Sequence, residues 1–405
     1  MLKNDIITSD SKYIKPFKII FWMISNLGLI PLIFVLYLLK PLFRIQFLKI
    51  RDERIGHLAL NTELFLRRLK LGIIRKKRTL FIGVAGKKPS NGQLLKMFKR
   101  EMTIIQIPKL LNDVLFSEKS LLVKSGFGMH LPLKSNEFYE FTYGKPNIHF
   151  TSQEEKKGKK LLKDMNISAK DWFICFHARD KKYLEKSLSS MDTSCHNFRD
   201  WDINSALKAV EYIASKRGFA LRMGAIVEKK LPKLKSPRII DYAANYRTEF
   251  GDIYLPSKCK FLLGCSSGIG MVTQAFNVPA IFSNLIPLDF PPYSKRDLFI
   301  PKKIWSKKKK RFLTFKEIIN SKVNEYSHQE LYVKEGLVPV ENTPKEILDL
   351  AIEMNERLDG TWKTTKKDEE LQKRFKSLFK KGSHCYGFPS RIGTKFLRQN
   401  KDLLK

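Results

Sequence analysis

The sequence predicts an α/β protein with two Rossmann-like doubly wound domains, an N-terminal membrane segment and a helical C-terminal tail. Two long stretches alternate short apolar runs with amphipathic runs, the pattern of parallel strands joined by crossover helices. One run near the N-terminus is apolar and free of charge, and the C-terminal tail has helical periodicity. The predicted divisions are 1–43 for the membrane segment and its flank, 44–150 for the first domain, 151–345 for the second domain, and 346–405 for a tail that packs back on the first domain.

The membrane segment is the run of 21 uncharged residues from Ile19 to Leu39. About 20 apolar residues in a helix cross a ~30 Å hydrocarbon core. Basic residues are more numerous after the run than before it, so the positive-inside rule predicts that the body is cytoplasmic. Gly28 and Pro31 also permit a broken hairpin that stays in one leaflet, and an ordinary buried helix is the third alternative.

The first domain begins with a strand at FLKI and continues with a helix over 58–71. A second strand, Thr79–Ala85, ends in the loop signal GKKPSNG, and a helix over 92–100 and a strand over 103–107 follow. From 108 to 149 the pattern is weak. The order of strand, helix and strand favours a parallel sheet with crossovers.

The second domain opens with a polar helix over 152–165 and has a clearer alternation. Ligands of such doubly wound sheets bind at the carboxyl ends of the strands. The predicted strands are 172–177, 219–223, 238–242, 260–264 and 280–283; the predicted helices are 204–215 and 268–276, with 345–358 and 367–380 in the tail.

The charge balance points to an anionic partner. The chain has 76 basic and 40 acidic side chains, a net charge of 76 − 40 = +36, and it is 43% hydrophobic, which excludes a disordered or fibrous protein. Phosphorylated small molecules, an anionic membrane and nucleic acid all fit this charge. The five widely spaced cysteines form no Cys-x-x-Cys pair, so neither a disulfide framework nor a zinc site is indicated.

The turn from Ser266 through Ser267 to Gly268 is the first candidate site, because it joins a buried strand to a helix N-terminus. Serine hydroxyls, free backbone N–H groups and the positive end of the helix dipole suit a diphosphate. The alternative is a serine that only caps the helix. The turn lacks the Gly-Lys-Ser/Thr of a P-loop.

The end of the strand at 172–177 carries the second candidate site. His177, Arg179 and Asp180 supply a base, a guanidinium for phosphate and a carboxylate within one turn; a surface ion pair is the alternative for Arg179 and Asp180. Further candidates are Arg222 at the end of an apolar strand, and Arg247 and Glu249 in a segment whose polar groups could hold a sugar hydroxyl.

Three weaker features complete the set. His57 follows the first predicted strand and is either a base or a structural histidine at a helix start. Asp200 and Asp202 have the spacing of a cation site, but they follow a polar loop, and no metal is predicted. The basic run 302–312 either docks on anionic lipid or is a solvated loop.

Together these segments resemble a poorly characterised bacterial family of GT-B-type glycosyltransferases linked to surface polysaccharide synthesis. The resemblance covers most of the chain from Arg51 onward, but not the apolar segment. FHARD is also similar to the His-x-Arg motif of GT-B fucosyltransferases, although no Gly precedes its Asp. The segments that carry the resemblance are RIGHLALNTE, FHARD, FRDWDI, ALRMG, YRTEFGDIYL, KFLLGCSSG and SRIGTKFLRQNKDLL.

The resemblance implies transfer of a sugar from a nucleotide-diphosphate donor on the second domain to a cell-surface glycan or lipid-linked acceptor on the first. It implies no cofactor and no metal, with cationic groups supporting the departing diphosphate. The implied donor-binding residues are Arg179, Arg222, Arg247, Glu249, Ser266, Ser267 and Gly268. Asp180 is the first choice as base, followed by His57 and His177.

Membrane association and the bacterial family place the protein at the inner membrane with its body on the cytoplasmic side. Other classes stay open: a different transferase such as a pyruvyl transferase, a non-catalytic basic membrane protein, or a nucleic-acid-binding protein. No nucleic-acid-binding signature is present in the sequence, and a membrane segment argues against that last class.

Overall fold

A computed structural model describes residues 14–75, 78–131, 138–179, 194–227, 229–383 and 385–405. The chain forms two compact units, residues 1–133 and 134–405. The division falls after Leu133, earlier than the boundary after residue 150 that the sequence predicted. The predicted class, α/β with parallel sheets, an apolar N-terminal helix and a helical C-terminal region, is confirmed.

The apolar segment is one continuous helix, α1, Ile14–Leu39. It runs through Pro31, so the broken hairpin is not what the structure contains. Within the described residues, Ile19–Leu39 is the stretch long and apolar enough to cross a membrane, with a mean hydropathy of 2.3. Only 17% of its most apolar window is buried, which also argues against an ordinary core helix.

The first unit contains a four-stranded parallel sheet in the order β3-β2-β1-β4. The three strands predicted from sequence are present, and the weakly patterned stretch after them supplies β4. The strands are β1 Arg44–Lys49, β2 Thr79–Gly86, β3 Ile104–Ile107 and β4 Gly128–His130; the helices are α2 Ile55–Lys70, α3 Gly92–Glu101, α4 Lys109–Leu115 and α5 Leu121–Lys124.

The second unit is built on a seven-stranded sheet in the order β14-β10-β9-β8-β5-β6-β7, with every neighbouring pair parallel. Its central strands are buried on both faces, as is usual for a parallel sheet covered by helices. The strands are β5 Phe173–Phe176, β6 Phe219–Arg222, β7 Ile239–Ile240, β8 Leu262–Gly264, β9 Ala280–Leu285, β10 Leu298–Pro301 and β14 Arg391–Ile392.

Helices flank this sheet, and a small antiparallel sheet follows it in the chain. The small sheet has the order β12-β11-β13 and contains β11 Lys303–Ser306, β12 Arg311–Phe312 and β13 Leu337–Val340. The helices are α6 Phe138–Tyr143, α7 Ser152–Asp164, α8 Leu207–Ser215, α9 Tyr242–Asn245, α10 Gly251–Lys258, α11 Gly268–Ala275, α12 Phe315–Ile319, α13 Gln329–Lys334, α14 Pro344–Leu358, α15 Lys366–Lys376 and α16 Thr394–Gln399. Short 3₁₀ turns occupy Ser194–Arg199, Ile203–Ala206, Lys322–Glu325 and Lys401–Leu404.

The C-terminal segment 346–405 belongs to the second unit, which corrects the prediction that it packs back on the first domain. Its strand β14 extends the large sheet by pairing with β10. The apolar face of α14 is fully buried and contacts β9, β10 and α8. Helical periodicity predicted an apolar face here, but it does not specify which surface covers that face.

The basic run 302–312 is a hairpin and not a uniformly lipid-facing patch. Lys302 is buried, and Lys303 pairs with Glu346 at 3.2 Å. Lys309 and Arg311 both pair with Glu317. Acidic partners inside the unit therefore neutralise several of these cations, which corrects the prediction for the run as a whole.

Removal of the Glu353 carboxylate should loosen α16 from α14 within the C-terminal segment. This buried side chain accepts hydrogen bonds from the Thr394 N–H at 2.7 Å, the Thr394 hydroxyl at 2.8 Å and Arg357 at 2.9 Å. Glu353→Ala leaves buried donors without a partner and should lower the free energy of unfolding by about 2–4 kcal/mol. Urea denaturation measures this loss. Lys345→Ala, an exposed change on the same helix, is the control, and an equal effect of both variants would contradict the role given to Glu353.

Candidate functional site

The turn between β8 and α11 places a buried serine at a helix N-terminus without using it as a cap. Ser267 is the N-cap residue, with extended backbone angles of φ −135° and ψ 166°, yet its side chain makes no capping hydrogen bond. It is 7% exposed, and its hydroxyl has no hydrogen-bond partner. The alternative of a plain serine cap is therefore wrong for this structure. The first turn of α11 keeps its N–H groups and the positive end of its dipole at this point.

Small residues let α11 approach the sheet closely. A Cβ at Gly270 would lie 3.0 Å from the ring of Phe282 on β9. The first turn of α11 thus packs closely against β9 just beyond the carboxyl end of β8, the edge at which doubly wound sheets bind ligands.

Cationic side chains gather beside this turn. The Arg199 guanidinium donates a hydrogen bond to the Ser266 carbonyl oxygen, and Arg179 forms an ion pair with Asp200. The Lys302 ammonium donates to the Asp200 carbonyl oxygen at 2.7 Å. These contacts connect the ends of β5, β8 and β10 through one polar cluster, which we call the strand-end cluster: Arg179, Arg199, Asp200, Ser266, Ser267 and Lys302.

Lys302 and Arg199 are members that sequence reasoning missed. The Lys302 side chain is 4% exposed, and burial lowers the pKa of its ammonium below the usual value while Glu341, 4.0 Å away, opposes that shift. In sequence Lys302 opens a run of basic residues and looks like a solvated lysine. The signal that could have identified it is its position directly after the apolar run LFIP, at the end of β10.

A cavity of about 430 Å³ adjoins the strand-end cluster. Its lining mixes cations, acids and amides with the apolar edge of β13, which is the composition of a pocket for a polar ligand. Polar lining residues are Asn197, Asp200, Lys302, Lys307, Gln329 and Glu341.

His177 lies at the carboxyl end of β5. Its Nδ1 is 3.0 Å from the Met223 carbonyl oxygen. Because a carbonyl can only accept, Nδ1 carries the proton in this contact, which orients the ring and fixes its tautomer. Asp180, the first choice as base, lies outside the described residues.

Two of the remaining predicted donor-binding residues, Arg222 and Arg247, form ion pairs with acidic residues that are not members of the strand-end cluster. Arg222, at the end of β6, donates to Asp241 at 3.1 Å, and both side chains are largely buried. Arg247 pairs with Asp252 at 2.9 Å. Burial raises the pKa of Asp252 to about 6, although Arg247 and the hydrogen bond from Tyr242 limit the rise; repulsion from the exposed Glu249 is a smaller contribution to it. The structure therefore brings together Arg179, Ser266, Ser267 and Gly268 of the predicted set, and places Arg247 and Glu249 in a separate network.

The carboxylates of Asp200 and Asp202, which have the spacing of a metal site, each contact other groups of the protein. Asp200 pairs with Arg179, and Asp202 accepts a hydrogen bond from the Asn204 N–H at 3.1 Å. Across the described ranges, no group of three or more His, Cys, Asp or Glu side chains is arranged to hold a metal ion.

In the first unit, His57 lies in the first turn of α2 beyond the carboxyl end of β1. Burial and the neighbouring cations Arg51 and Arg54 together lower its pKa to about 4, and a hydrogen bond with the Asn61 side chain opposes this shift. The imidazole is therefore neutral at pH 7. Asp52 anchors the same strand end, because its buried carboxylate accepts the Gly86 N–H at 2.7 Å and so connects β1 to β2.

No protein-family model matches the chain, and no curated protein sequence matches it. Among solved structures, it is similar to E. coli ADP-heptose LPS heptosyltransferase II, with 12% identity, a TM-score of 0.39, and coverage of 63% of this chain and 90% of the other. It is also similar to a glycosyl transferase of family 9 from Veillonella parvula, with 10% identity, a TM-score of 0.36, and coverage of 59% of this chain and 79% of the other. For E. coli heptosyltransferase WaaC with ADP the identity is 9% and the TM-score 0.33, with coverage of 64% of this chain and 91% of the other. At these values the likeness identifies no donor, acceptor or catalytic residue in this chain.

Acid should destabilise the first unit through His57. The folded pKa of about 4 lies below the ordinary 6.5, so the unfolded chain binds more protons between these values and stability falls as the pH falls from 6.5 towards 4. The loss from this one group is at most about 3 kcal/mol. Denaturation of the wild type and of His57→Gln across this range measures it, and His328→Gln in the second unit is the control. If the stability of His57→Gln fell as steeply as that of the wild type, His57 would not be the group responsible.

Proposed function

We propose that the protein is a metal-independent glycosyltransferase that moves a sugar from a nucleotide-diphosphate donor to a cell-surface glycan or lipid-linked acceptor. The observation that carries this proposal is the buried, unpartnered Ser267 hydroxyl at the N-terminus of α11. A buried polar group without a partner is costly unless a ligand supplies one. A helix N-terminus with cations beside it favours an anionic ligand such as a diphosphate.

The diphosphate would accept hydrogen bonds from the Ser267 hydroxyl and from the N–H groups at the start of α11. As the bond to the sugar breaks, negative charge accumulates on the diphosphate. Arg179, Arg199 and Lys302 supply fixed positive charge in a partly dry site, where such stabilisation is strong. These three cations take the place that a divalent ion has in other transferases.

The adjoining cavity suits the glycosyl group of the donor. Asp200, Glu341, Gln329 and Asn197 line it with carboxylate and amide groups that pair with sugar hydroxyls. Arg222, Arg247 and Glu249 were expected to bind the donor. We now assign the two arginines to ion pairs that hold the loops after β6 and β7 in place.

His57 and His177 are the candidate bases within the described residues. The His57 imidazole is neutral at physiological pH and can accept a proton, but a pKa of about 4 makes it a weaker base than an ordinary imidazole. His177 already donates Nδ1–H to a backbone carbonyl, which suits a positioning role. Asp180 stays the first choice from sequence, and the two assignments are separable by mutation.

Donor affinity tests the Ser267 assignment. Ser267→Ala removes one hydroxyl and should weaken the binding of the preferred nucleotide-diphosphate sugar by about tenfold, the usual effect of one lost hydrogen bond to a charged group. Calorimetric titration of UDP-, GDP-, ADP- and dTDP-sugars measures this change. Ser257→Ala is the control, because Ser257 bonds only within α10.

Two results would overturn the proposal. One is the failure of every nucleotide sugar to bind the wild type. The other is unchanged affinity in Ser267→Ala. Salt-dependent binding of DNA without nucleotide binding would instead support the nucleic-acid alternative.

Turnover tests the base. His57→Gln should lower kcat by about a hundredfold and leave donor affinity unchanged, because a general base acts only in the chemical step. His130→Gln, in the same unit, is the control. A full kcat in His57→Gln together with a collapse in Asp180→Asn would transfer the role to Asp180.

A further inference from the structure

The first unit buries one narrow stripe of α1. The stripe residues recur every three or four positions, which keeps them on one face of a helix. Two of them, Leu29 and Leu36, join Phe116, Leu122 and Phe127 in a common core cluster. The full stripe is Trp22, Asn26, Leu29, Ile33 and Leu36.

A hydrogen bond and an aromatic contact fix the position of α1 along this surface. The Asn26 side-chain oxygen accepts a hydrogen bond from the Leu121 N–H at 2.8 Å, at the start of α5. Near the other end, the Tyr37 ring contacts the Phe127 ring edge-on at 5.0 Å. Asn26 and Tyr37 are separated by about 16 Å of helix at 1.5 Å per residue. The docked length is therefore more than half of a ~30 Å hydrocarbon core.

The opposite face of α1 is apolar and open. Ile20, Ile24, Leu27 and Leu38 lie on it, and each is between 56% and 63% exposed. Pro31 and Val35 continue the same face. Such a long apolar surface is unusual on a protein in water and marks an interaction site.

A docked α1 cannot cross a bilayer without carrying part of the unit into the hydrocarbon. The segment that α1 contacts, 116–127, includes exposed charges at Glu118, Lys119 and Lys124. It also has loop backbone groups that need water or a partner. Both are costly in the hydrocarbon core.

We propose that α1 lies in the plane of the membrane, with its stripe on the first unit and its open face in one leaflet of an anionic bilayer. An in-plane helix needs one apolar face, whereas its charged surroundings stay at the headgroups. The elements that contact α1, which are β1, α4 and α5, carry more basic than acidic side chains, and the acidic Asp113 pairs with Lys49. Basic residues on or next to these elements are Lys40 at the end of α1, Arg44, Lys109, Lys119 and Lys124. This charge favours anionic lipid over a second copy of the same basic surface.

The depth of labels along α1 separates the in-plane arrangement from a span. Four variants of the full chain each have one of Ile20, Ile24, Leu27 and Leu38 replaced by cysteine. All four also contain Cys195→Ser, and the four other native cysteines are buried. A fluorescent label on each is quenched by lipids brominated at different depths, in phosphatidylcholine vesicles with and without phosphatidylglycerol.

In the plane, all four labels should lie at one shallow depth, about 5–10 Å below the headgroups. A spanning helix would place Leu27 near the centre and Ile20 and Leu38 near opposite interfaces, since those two ends are about 27 Å apart along the axis. That profile would overturn the proposal.

Binding to the same vesicles supplies a second readout. The double variant Ile24→Glu and Leu27→Glu should reduce co-sedimentation with phosphatidylglycerol vesicles by at least about tenfold, because it places two charges on the open face that is proposed to enter the lipid. Ile73→Glu, an exposed apolar residue elsewhere in the first unit, should leave binding unchanged. Equal binding of all three proteins, or a dimer in solution with no vesicle binding, would exclude the lipid assignment. These measurements need no donor, so their outcome is independent of the proposed transferase activity.

Discussion

The strands of the second unit are buried on both faces, and this constraint decides where the chemistry of the unit can be. Ile174, Ala220, Leu263 and Ile281 are fully excluded from water on four adjacent strands. Helices occupy both sides of the sheet, so neither face is open to a ligand. Because all strands run in one direction, the residues that follow them meet at one edge. His177, Ser266 and Lys302 reach that edge from distant parts of the chain for this reason.

Because the sheet is buried, a polar group near it is stable only when it has a hydrogen-bond partner. Asp297 is fully buried and accepts hydrogen bonds from the Ala280 and Ser294 N–H groups and from Gln274. Its pKa is raised to about 7 by burial, and these bonds limit the rise. Asn284 and Asn342 each donate the backbone N–H to the other's side-chain oxygen, at 2.6 and 2.7 Å. The Ser267 hydroxyl differs from these paired groups: it is one of several buried polar atoms in the described residues without a hydrogen-bond partner, and it lies at the carboxyl edge of the sheet.

The sequence predicted what depends on local pattern and failed where distant contacts decide. Apolar runs such as WFICFH and KFLLG became β5 and β8, although the strands are shorter than predicted because their flanks leave the ladder. The predicted turn from Ser266 through Gly268 into a helix is present. The burial of Lys302 was not predictable, since it depends on Asp200 about a hundred residues away. The same holds for Arg222, whose partner Asp241 comes from the next strand.

The proposed ligand-binding role of Ser267 would explain why the fold keeps a buried hydroxyl that lowers its stability. A buried hydroxyl without a partner lowers stability by about 1–3 kcal/mol, which includes the capping hydrogen bond that this N-cap serine does not make. An anionic ligand that accepted hydrogen bonds from the Ser267 hydroxyl and from the first N–H groups of α11 would return this free energy as affinity.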